Sequence, residues 1–161
     1  MTDNRGFTLI EILIVIIIVG ITAGFAMLAF GDFGASRRIL FAAEQLVNTL
    51  RLAQQQAILE SSTLGLRIDN TSYQILRFEN SSNWTAIANK GIFKLTYFPQ
   101  NTLISLTTNN PTLKGFPPII INSSGDITPF TLNFGTNTEP SLTVLKASPD
   151  GTLSFIKANP K

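Results

Sequence analysis

The residue best placed for chemistry is Glu11, because it is the only charged residue between Phe7 and Phe30. A carboxylate deep in a bilayer costs about 2.5 kcal/mol or more, and less near the interface, where Glu11 is expected to lie. An acid in a first helical turn complements the helix dipole, which is worth about 0.3–1 kcal/mol.

Enzymatic chemistry has few candidates elsewhere in the chain, which contains no His and no Cys. Disulfides and thiol chemistry are therefore excluded, and the usual general base and commonest zinc ligand are missing. The turns at Ser123–Asp126 and Ser148–Gly151 hold single acids without the spacing of a calcium-binding EF-hand loop. We expect no catalytic residue, no cofactor and no metal site, and we predict that the protein is not an enzyme.

The charge pattern argues against a nucleic-acid partner. From Gly31 onward there are 11 Lys and Arg against 8 Asp and Glu, a net charge of +3. The only adjacent basic pair is Arg37–Arg38, whereas nucleic-acid-binding proteins usually show a clustered patch or stripe.

An apolar segment long enough to span a membrane follows the short leader Met1–Gly6. The 24 residues of Phe7–Phe30 would form a helix of about 36 Å, which exceeds the hydrocarbon thickness of about 30 Å. No small-x-small cleavage site follows the apolar run, so it is not a typical secretory signal peptide. We expect a retained, single-pass transmembrane helix over residues 7–30.

The remaining residues, 31–161, predict one domain that begins with an amphipathic helix at about 36–60. Gly31–Gly34 is the expected interruption between the membrane half and the amphipathic half of the long N-terminal helix. The predicted buried stripe recurs at spacings of three and four residues, and consists of Ile39, Ala43, Leu46, Leu50, Ala53 and Ala57. The opposite face of the helix is predicted to form a polar, reversible interface, and it carries Arg38, Gln45, Arg51 and Gln55.

After residue 62 the apolar period falls to two, which is typical of strands. We predict a hairpin at 63–78, then strands at 92–98, 102–107, 118–122, 129–134, 141–147 and 152–157. Asn80–Asn83 is predicted to be a loop, and Trp84 beside it could be a partner contact or a buried anchor. The fold class is α+β, with the long N-terminal helix packed on C-terminal antiparallel β-sheets.

The N-terminal residues resemble a known signal. Gly6 followed by Phe7-Thr8-Leu9-Ile10-Glu11 and an apolar helix is similar to the class III signal of type IV pilins and type II secretion pseudopilins. The resemblance implies that a prepilin peptidase cuts between Gly6 and Phe7 and methylates the new amine of Phe7. It also implies that Glu11 pairs with the Phe7 amine of a neighbouring subunit during filament assembly. At about 4 Å and an effective dielectric of about 20, that attraction is worth about 4 kcal/mol before desolvation. Alternatively, Glu11 pairs with the new Phe7 amine of its own chain, since residues i and i+4 share one face of a helix.

Segments of the soluble part resemble the H-type minor pseudopilins of type II secretion, although residues 79–118 match nothing. The segments are Gln56-Ala57, Gly65-Leu66-Arg67, Tyr73–Phe78, Trp84 and Ile120–Phe130. The resemblance implies a structural subunit of a periplasmic pseudopilus that takes part in exporting folded proteins across the outer membrane. It implies a bacterial inner-membrane location with the C-terminal domain in the periplasm. The implied partners are other minor and major pseudopilins, the prepilin peptidase and the inner membrane.

Two alternatives stay open. A minor type IV pilin for pilus assembly or DNA uptake would have a similar fold, but members of that branch tend to carry Arg-rich C-terminal motifs. This chain ends with only Lys157 and Lys161 as basic residues, and it lacks the cysteines of many type IV pilins. A membrane-anchored hydrolase is disfavoured by the absent His and Cys.

The positive-inside rule conflicts with the family orientation, because Arg37 and Arg38 outnumber Arg5.

Overall fold

The computed structural model describes residues 7–79, 83–88, 90–110 and 115–157, without the side chains of residues 28–33. Two compact units are distinguished, Met1–Ala35 and Ser36–Lys161. Helix α1 covers Leu9–Leu59, so both predicted halves are helical. The prediction of an interruption at Gly31–Gly34 is wrong, because these residues are also helical. A glycine inside a helix costs only about 1 kcal/mol relative to alanine, which is not enough to break it.

The C-terminal end of α1 is closed by a Schellman motif. Ser61 adopts a left-handed backbone with φ of 48°. Its N–H donates to the carbonyl of Ile58 at 3.2 Å, and the N–H of Ser62 donates to the carbonyl of Ala57 at 3.0 Å. These two bonds satisfy carbonyls that have no partner within the helix, and they direct the chain into the first strand.

The predicted apolar stripe of the amphipathic helix is confirmed. All six of its residues are completely buried, and they join one hydrophobic core with side chains from both sheets. Alanine occupies three of the six positions, so the helix backbone can lie close to the strands. An aromatic chain runs through the same core, with Tyr73 centred 5.2 Å from Phe98 and Phe98 centred 5.9 Å from Phe134.

Two antiparallel sheets complete the second unit. The first has the order β3-β2-β1-β6, with β4 also paired to β2, and the second has the order β5-β7-β8-β9. The bounds of the strands are β1 Leu64–Ile68, β2 Ser72–Glu79, β3 Asn83–Ala86, β4 Thr96–Tyr97, β5 Leu103–Thr108, β6 Ile119–Ile121, β7 Phe130–Gly135, β8 Thr143–Ala147 and β9 Leu153–Lys157.

The region from 79 to 98 contains the largest errors of the strand prediction. The strand expected at 92–98 is reduced to the two residues of β4, and Gly91–Phe93 form a 3-10 turn instead. The apolar residues here do not alternate strictly, and Gly91 adopts a left-handed φ of 77° that redirects the chain. Strand β3 was not predicted; it begins at Asn83, which sequence reasoning placed in a loop.

Trp84 is an anchor on the first sheet. Its ring centroid lies 5.1 Å from that of Phe78, which is the directly paired residue of β2. A Cβ built on Gly65 of β1 would approach the Trp84 ring to 2.8 Å and would overlap the ring of Pro117. Gly65 therefore leaves the space in which Trp84 and Pro117 cover this part of the sheet.

Candidate assembly and membrane surface

The first turn of α1 is capped by Thr8. The N–H of Glu11 approaches both the carbonyl and Oγ1 of Thr8, at 3.1 and 3.3 Å, and the N–H of Ile12 lies 3.3 Å from the same carbonyl. Thr8-x-x-Glu11 is the sequence of a capping box, in which the cap side chain accepts from the third helical N–H. Sequence reasoning missed this role of Thr8, although the spacing of the two residues was sufficient to indicate it.

The predicted processing and assembly residues lie at this end of the chain. Gly6 and the rest of the leader are outside the described residues. Phe7 immediately precedes the cap and is 79% exposed, and Glu11 is also exposed in the first helical turn. The Glu11 side chain is therefore accessible to another molecule.

The residues that follow Glu11 form an apolar helix with no protein cover. Leu9–Met27 has a mean hydropathy of 2.7, and none of it is buried. Its 19 residues would be about 28 Å long, close to the thickness of the hydrocarbon layer. A water-exposed apolar surface of this size is unfavourable, so lipid or other apolar helices must cover it.

The apolar helix contains a hydroxyl group that is hydrogen-bonded within the helix, and two glycines that leave one face open. The Thr22 hydroxyl donates to the carbonyls of Ile18 and Val19 at 2.9 and 3.0 Å, so it does not require an outside partner. A Cβ on Gly20 or Gly24 would have no neighbour within 4 Å. These glycines lie four residues apart, on one open face where another helix could approach closely.

A second exposed surface lies on α1 between Ser36 and Leu59, opposite the buried stripe. The polar residues predicted for it, Arg38, Gln45, Arg51 and Gln55, are all exposed. The prediction of a purely polar face is incomplete, however, because large apolar side chains lie among them. We name these three exposed residues the outward stripe: Phe41, Leu52 and Leu59.

The outward stripe follows the helical repeat. Phe41 and Leu59 are 18 residues apart, which is about five turns, and Leu52 is about three turns from Phe41. All three side chains therefore point in nearly the same direction. Phe41 is 68% and Leu59 80% exposed, so they contribute little to the core of their own unit.

The acidic turns show ordinary turn chemistry. Asp150 accepts hydrogen bonds from the N–H and hydroxyl of Thr152 at 3.0 and 2.9 Å, and the bond from the N–H is the main cause that lowers the pKa of Asp150. Asp126 accepts from the Ser124 hydroxyl at 2.7 Å. Among the described residues no three acidic side chains come together as a metal-binding group.

Comparison of the sequence with known protein families identifies the family of this chain. The family model described as "Type II transport protein GspH" matches residues 42–151, well over half of the chain. The chain belongs to this GspH family. A second model, the prokaryotic N-terminal methylation motif, matches residues 1–27 of this family member.

Relatives of this GspH-family chain include named secretion proteins. Type II secretion system protein H of Pseudomonas aeruginosa is 30% identical, and the match covers 94% of each chain. A fimbrial protein of Pseudomonas aeruginosa is 38% identical, but that match covers only 40% of this chain and 41% of the fimbrial protein. The relationship to the secretion protein therefore extends over nearly the whole chain, whereas the relationship to the fimbrial protein is partial.

The fold of the GspH-family chain is also found among solved structures. The crystal structure of the minor pseudopilin EpsH from the type II secretion system of Vibrio cholerae superposes with a TM-score of 0.67. The two chains share 21% identity, and the match covers 78% of this chain and 98% of the other. The predicted α+β pseudopilin fold is thereby confirmed.

Proposed function

We propose that this protein is an H-type minor pseudopilin, a structural subunit of the pseudopilus of a type II secretion system. In this role it takes part in exporting folded proteins across the outer membrane, and it catalyses no reaction. The observation that carries the proposal is the fully exposed apolar helix Leu9–Met27 in a member of the GspH family. Such a helix serves first as a membrane anchor and then as a packing surface between subunits.

Processing is proposed at the junction between the leader and this helix. A prepilin peptidase cuts between Gly6 and Phe7 and methylates the Phe7 amine. The match of the N-terminal methylation motif to residues 1–27 supports this step. The high exposure of Phe7 is consistent with access by an enzyme. The segment 7–30 then stays in the inner membrane, and residues 31–161 form the periplasmic domain.

Glu11 is proposed to guide assembly by pairing with the Phe7 amine of a neighbouring subunit. The competing explanation is that Glu11 only stabilises the first turn of its own helix, together with Thr8. Both explanations are compatible with the cap geometry, because the backbone N–H of Glu11, and not its carboxylate, approaches Thr8. An experiment must therefore separate the loss of the carboxylate from the loss of the cap.

The test compares Glu11→Leu with Thr8→Ala in a host that has the peptidase and the other pseudopilins. Intact mass shows whether each chain lacks Met1–Gly6, and cross-linking measures incorporation into the pseudopilus. We expect Glu11→Leu to be cleaved and inserted, since an apolar residue favours the membrane, but to enter the filament poorly. Thr8→Ala keeps the carboxylate and is expected to assemble, at a helix-stability cost of about 1 kcal/mol.

Two results would contradict the proposal. Normal incorporation of Glu11→Leu would mean that the carboxylate has no partner in another subunit. An equal defect in Thr8→Ala would mean that only the helix end matters. A mature mass that still includes Met1–Gly6 would separately exclude the processing step.

The proposed partners are other minor and major pseudopilins, and the outward stripe is the proposed contact surface of the soluble unit. It combines three apolar side chains with Arg38, Gln45, Arg51 and Gln55. Interfaces that form and dissociate are typically as polar as the general protein surface, with a small apolar centre. A filament whose subunits must enter and leave is expected to use such a surface.

A further inference from the structure

Only Arg38 of the exposed pair Arg37–Arg38 belongs to the contact surface proposed above, and Arg37 has no role in it. Both side chains are exposed at the start of the second unit. The next basic residue along the chain, Arg51, is 13 residues further. In the proposed orientation the pair lies on the translocated side, where it opposes the usual positive-inside preference.

Only a few residues connect the pair to the end of the apolar segment. Seven residue steps separate Arg37 from Phe30, the last residue of the apolar segment. Those steps span about 10 Å in a helix and at most about 25 Å in an extended chain. The lipid headgroups extend several ångströms beyond the hydrocarbon layer. The connection is therefore short enough for the guanidinium groups to reach lipid phosphates.

The local charge balance favours a negatively charged ligand. The nearest acid after the pair is Glu44, and its Oε1 lies 2.9 Å from Nζ of Lys157 on β9. Glu44 is therefore already paired with a cation from another element. Asp32 precedes Arg37 by five residues and is the nearest acid on the other side.

We propose that Arg37 and Arg38 bind the phosphate groups of anionic phospholipids at the membrane surface. A guanidinium group presents a planar fork of donors that matches phosphate oxygens and is weakly hydrated, so it suits this ligand. The proposal rests on the proposed function for its membrane orientation. Binding of the pair would hold the start of the soluble unit at the headgroup layer before the subunit enters the filament.

The test uses the full chain reconstituted in phosphatidylcholine bilayers with traces of spin-labelled lipid. The motionally restricted fraction of spin-labelled phosphatidylglycerol, compared with spin-labelled phosphatidylcholine, gives the relative affinity for the anionic headgroup. One arginine near an anionic surface changes affinity by a factor of about five. Two independent arginines would therefore give at most about 25-fold. We expect a preference of about fivefold to 25-fold for phosphatidylglycerol in the unmodified chain, decreasing towards onefold in the double variant Arg37→Gln, Arg38→Gln.

Two further double variants control the interpretation. Arg37→Lys, Arg38→Lys keeps both charges and should keep most of the preference. Lys94→Gln, Lys146→Gln removes two exposed charges elsewhere and should keep all of it. The proposal is overturned if the first variant retains the full preference, or if the distant control loses as much.

The measurements also distinguish a lipid ligand of Arg37 and Arg38 from a protein ligand. Suppose that Arg37→Gln, Arg38→Gln keeps its lipid preference in the bilayers but loses cross-links to an acidic partner chain in the intact cell envelope. This result would assign the arginines to a protein contact and overturn the lipid site. The bilayers contain no peptidase and no other pseudopilin. Failure of this experiment therefore leaves the Glu11 test unaffected, and the two proposals can fail separately.

Discussion

At the residue scale, Gln54 joins the helix to two turns that are distant in sequence. Its Nε2 donates to the carbonyls of Gly125 and Gly151 at 3.1 and 2.8 Å. Both glycines have left-handed φ values, 90° and 85°, and a Cβ on Gly151 would lie only 2.7 Å from the Gly125 carbonyl oxygen. One amide group therefore holds together the turn before β7 and the turn between β8 and β9.

Gln54→Leu is predicted to destabilise the second unit. Removing the amide leaves two carbonyls without their donor, and a buried unsatisfied polar group costs about 1–3 kcal/mol. Because Gln54 is partly exposed, we expect a loss of about 1–2 kcal/mol in the free energy of unfolding, measured by urea denaturation. The control is Gln55→Leu at the exposed neighbouring position, where a change within about 0.5 kcal/mol is expected. Equal losses in both variants would mean that helix packing, and not the two hydrogen bonds, is responsible.

Asp69 is the residue from which we predict a pH dependence. Its Oδ1 accepts from the N–H groups of Thr71 and Ser72, both at 2.8 Å, in the turn between β1 and β2. Burial tends to raise the pKa of Asp69, but the hydrogen bonds from Thr71 and Ser72 outweigh it and lower the pKa. The folded pKa is therefore below the unfolded pKa. The resulting stabilisation is complete above the unfolded pKa and is lost as the pH falls through the lower, folded pKa.

We expect Asp69→Asn to be less stable than the unmodified chain at pH 7, with a difference that shrinks as the pH falls through the lowered, folded pKa of Asp69. Its size should be below about 1 kcal/mol, because the carboxylate is exposed and solvent screens its interactions. Thermal melts across the acidic range would measure it. Glu79→Gln, at the exposed end of β2, is the matched control. A stability difference for Asp69→Asn that does not vary with pH would show that the turn geometry, and not the charge, is important.

At the element scale, helix α1 uses its two faces differently between Ser36 and Leu59. The buried stripe is fully covered by the sheets, whereas the outward stripe of Phe41, Leu52 and Leu59 has no cover within the described chain. Large exposed side chains that recur at helical spacing are typical of a helix surface that packs against a partner. The outward stripe should therefore contribute to binding and not to folding.

The double variant Phe41→Ser, Leu52→Ser is predicted to keep the thermal stability of the second unit but to lose contacts with other pseudopilins. Surface substitutions of this kind usually change stability by no more than about 0.5 kcal/mol. Cross-linking in the intact cell envelope measures the contacts. The control is Leu103→Ser, Ile156→Ser, which removes two half-exposed apolar side chains from the second sheet. A large stability loss, or equal loss of cross-links in the control, would contradict this role.

Elements defined by local periodicity could be predicted from the sequence, and those defined by distant partners could not. The buried helical stripe and the hairpin at 63–78 follow from spacings of three to four residues and of two. The extent of β4 depends on where β2 offers a partner, and only Ser72 and Tyr73 do so. Similarly, Trp84 becomes an anchor because Gly65, 19 residues earlier, leaves room for its ring.

The same distinction between local patterns and distant contacts applies to the candidate site. The motif around Glu11 and the exposure of the apolar helix depend on contiguous residues, so the sequence was sufficient to identify them. The apolar content of the outward stripe was missed because Phe41, Leu52 and Leu59 lie among polar residues, and only the packed sheets show which face of the helix is left uncovered. The capping role of Thr8 was available from its spacing to Glu11.

At the scale of the whole molecule, the distribution of charge distinguishes the secretion function from the alternative function in DNA uptake. The second unit has a small positive excess, and part of it is neutralised internally. Lys157 pairs with Glu44, and Arg77 pairs with Glu60. The exposed arginines Arg51 and Arg67 lie on different elements, the helix and β1, and do not extend the Arg37–Arg38 pair into a continuous basic patch within the described chain.

We therefore predict that the fragment from Ser36 binds duplex DNA no better than a neutral protein of similar size at physiological salt. Affinity for DNA depends on the number of phosphates neutralised, because each releases condensed counterions. A pair of arginines neutralises about two phosphates, which corresponds to a salt slope near −2, whereas proteins with strong non-specific binding reach about −6 to −10. Fluorescence anisotropy with a labelled duplex, repeated from low to high salt, gives both the affinity and the slope. Micromolar binding with a steep slope would favour the minor type IV pilin alternative, because it would require a basic surface larger than the described residues provide.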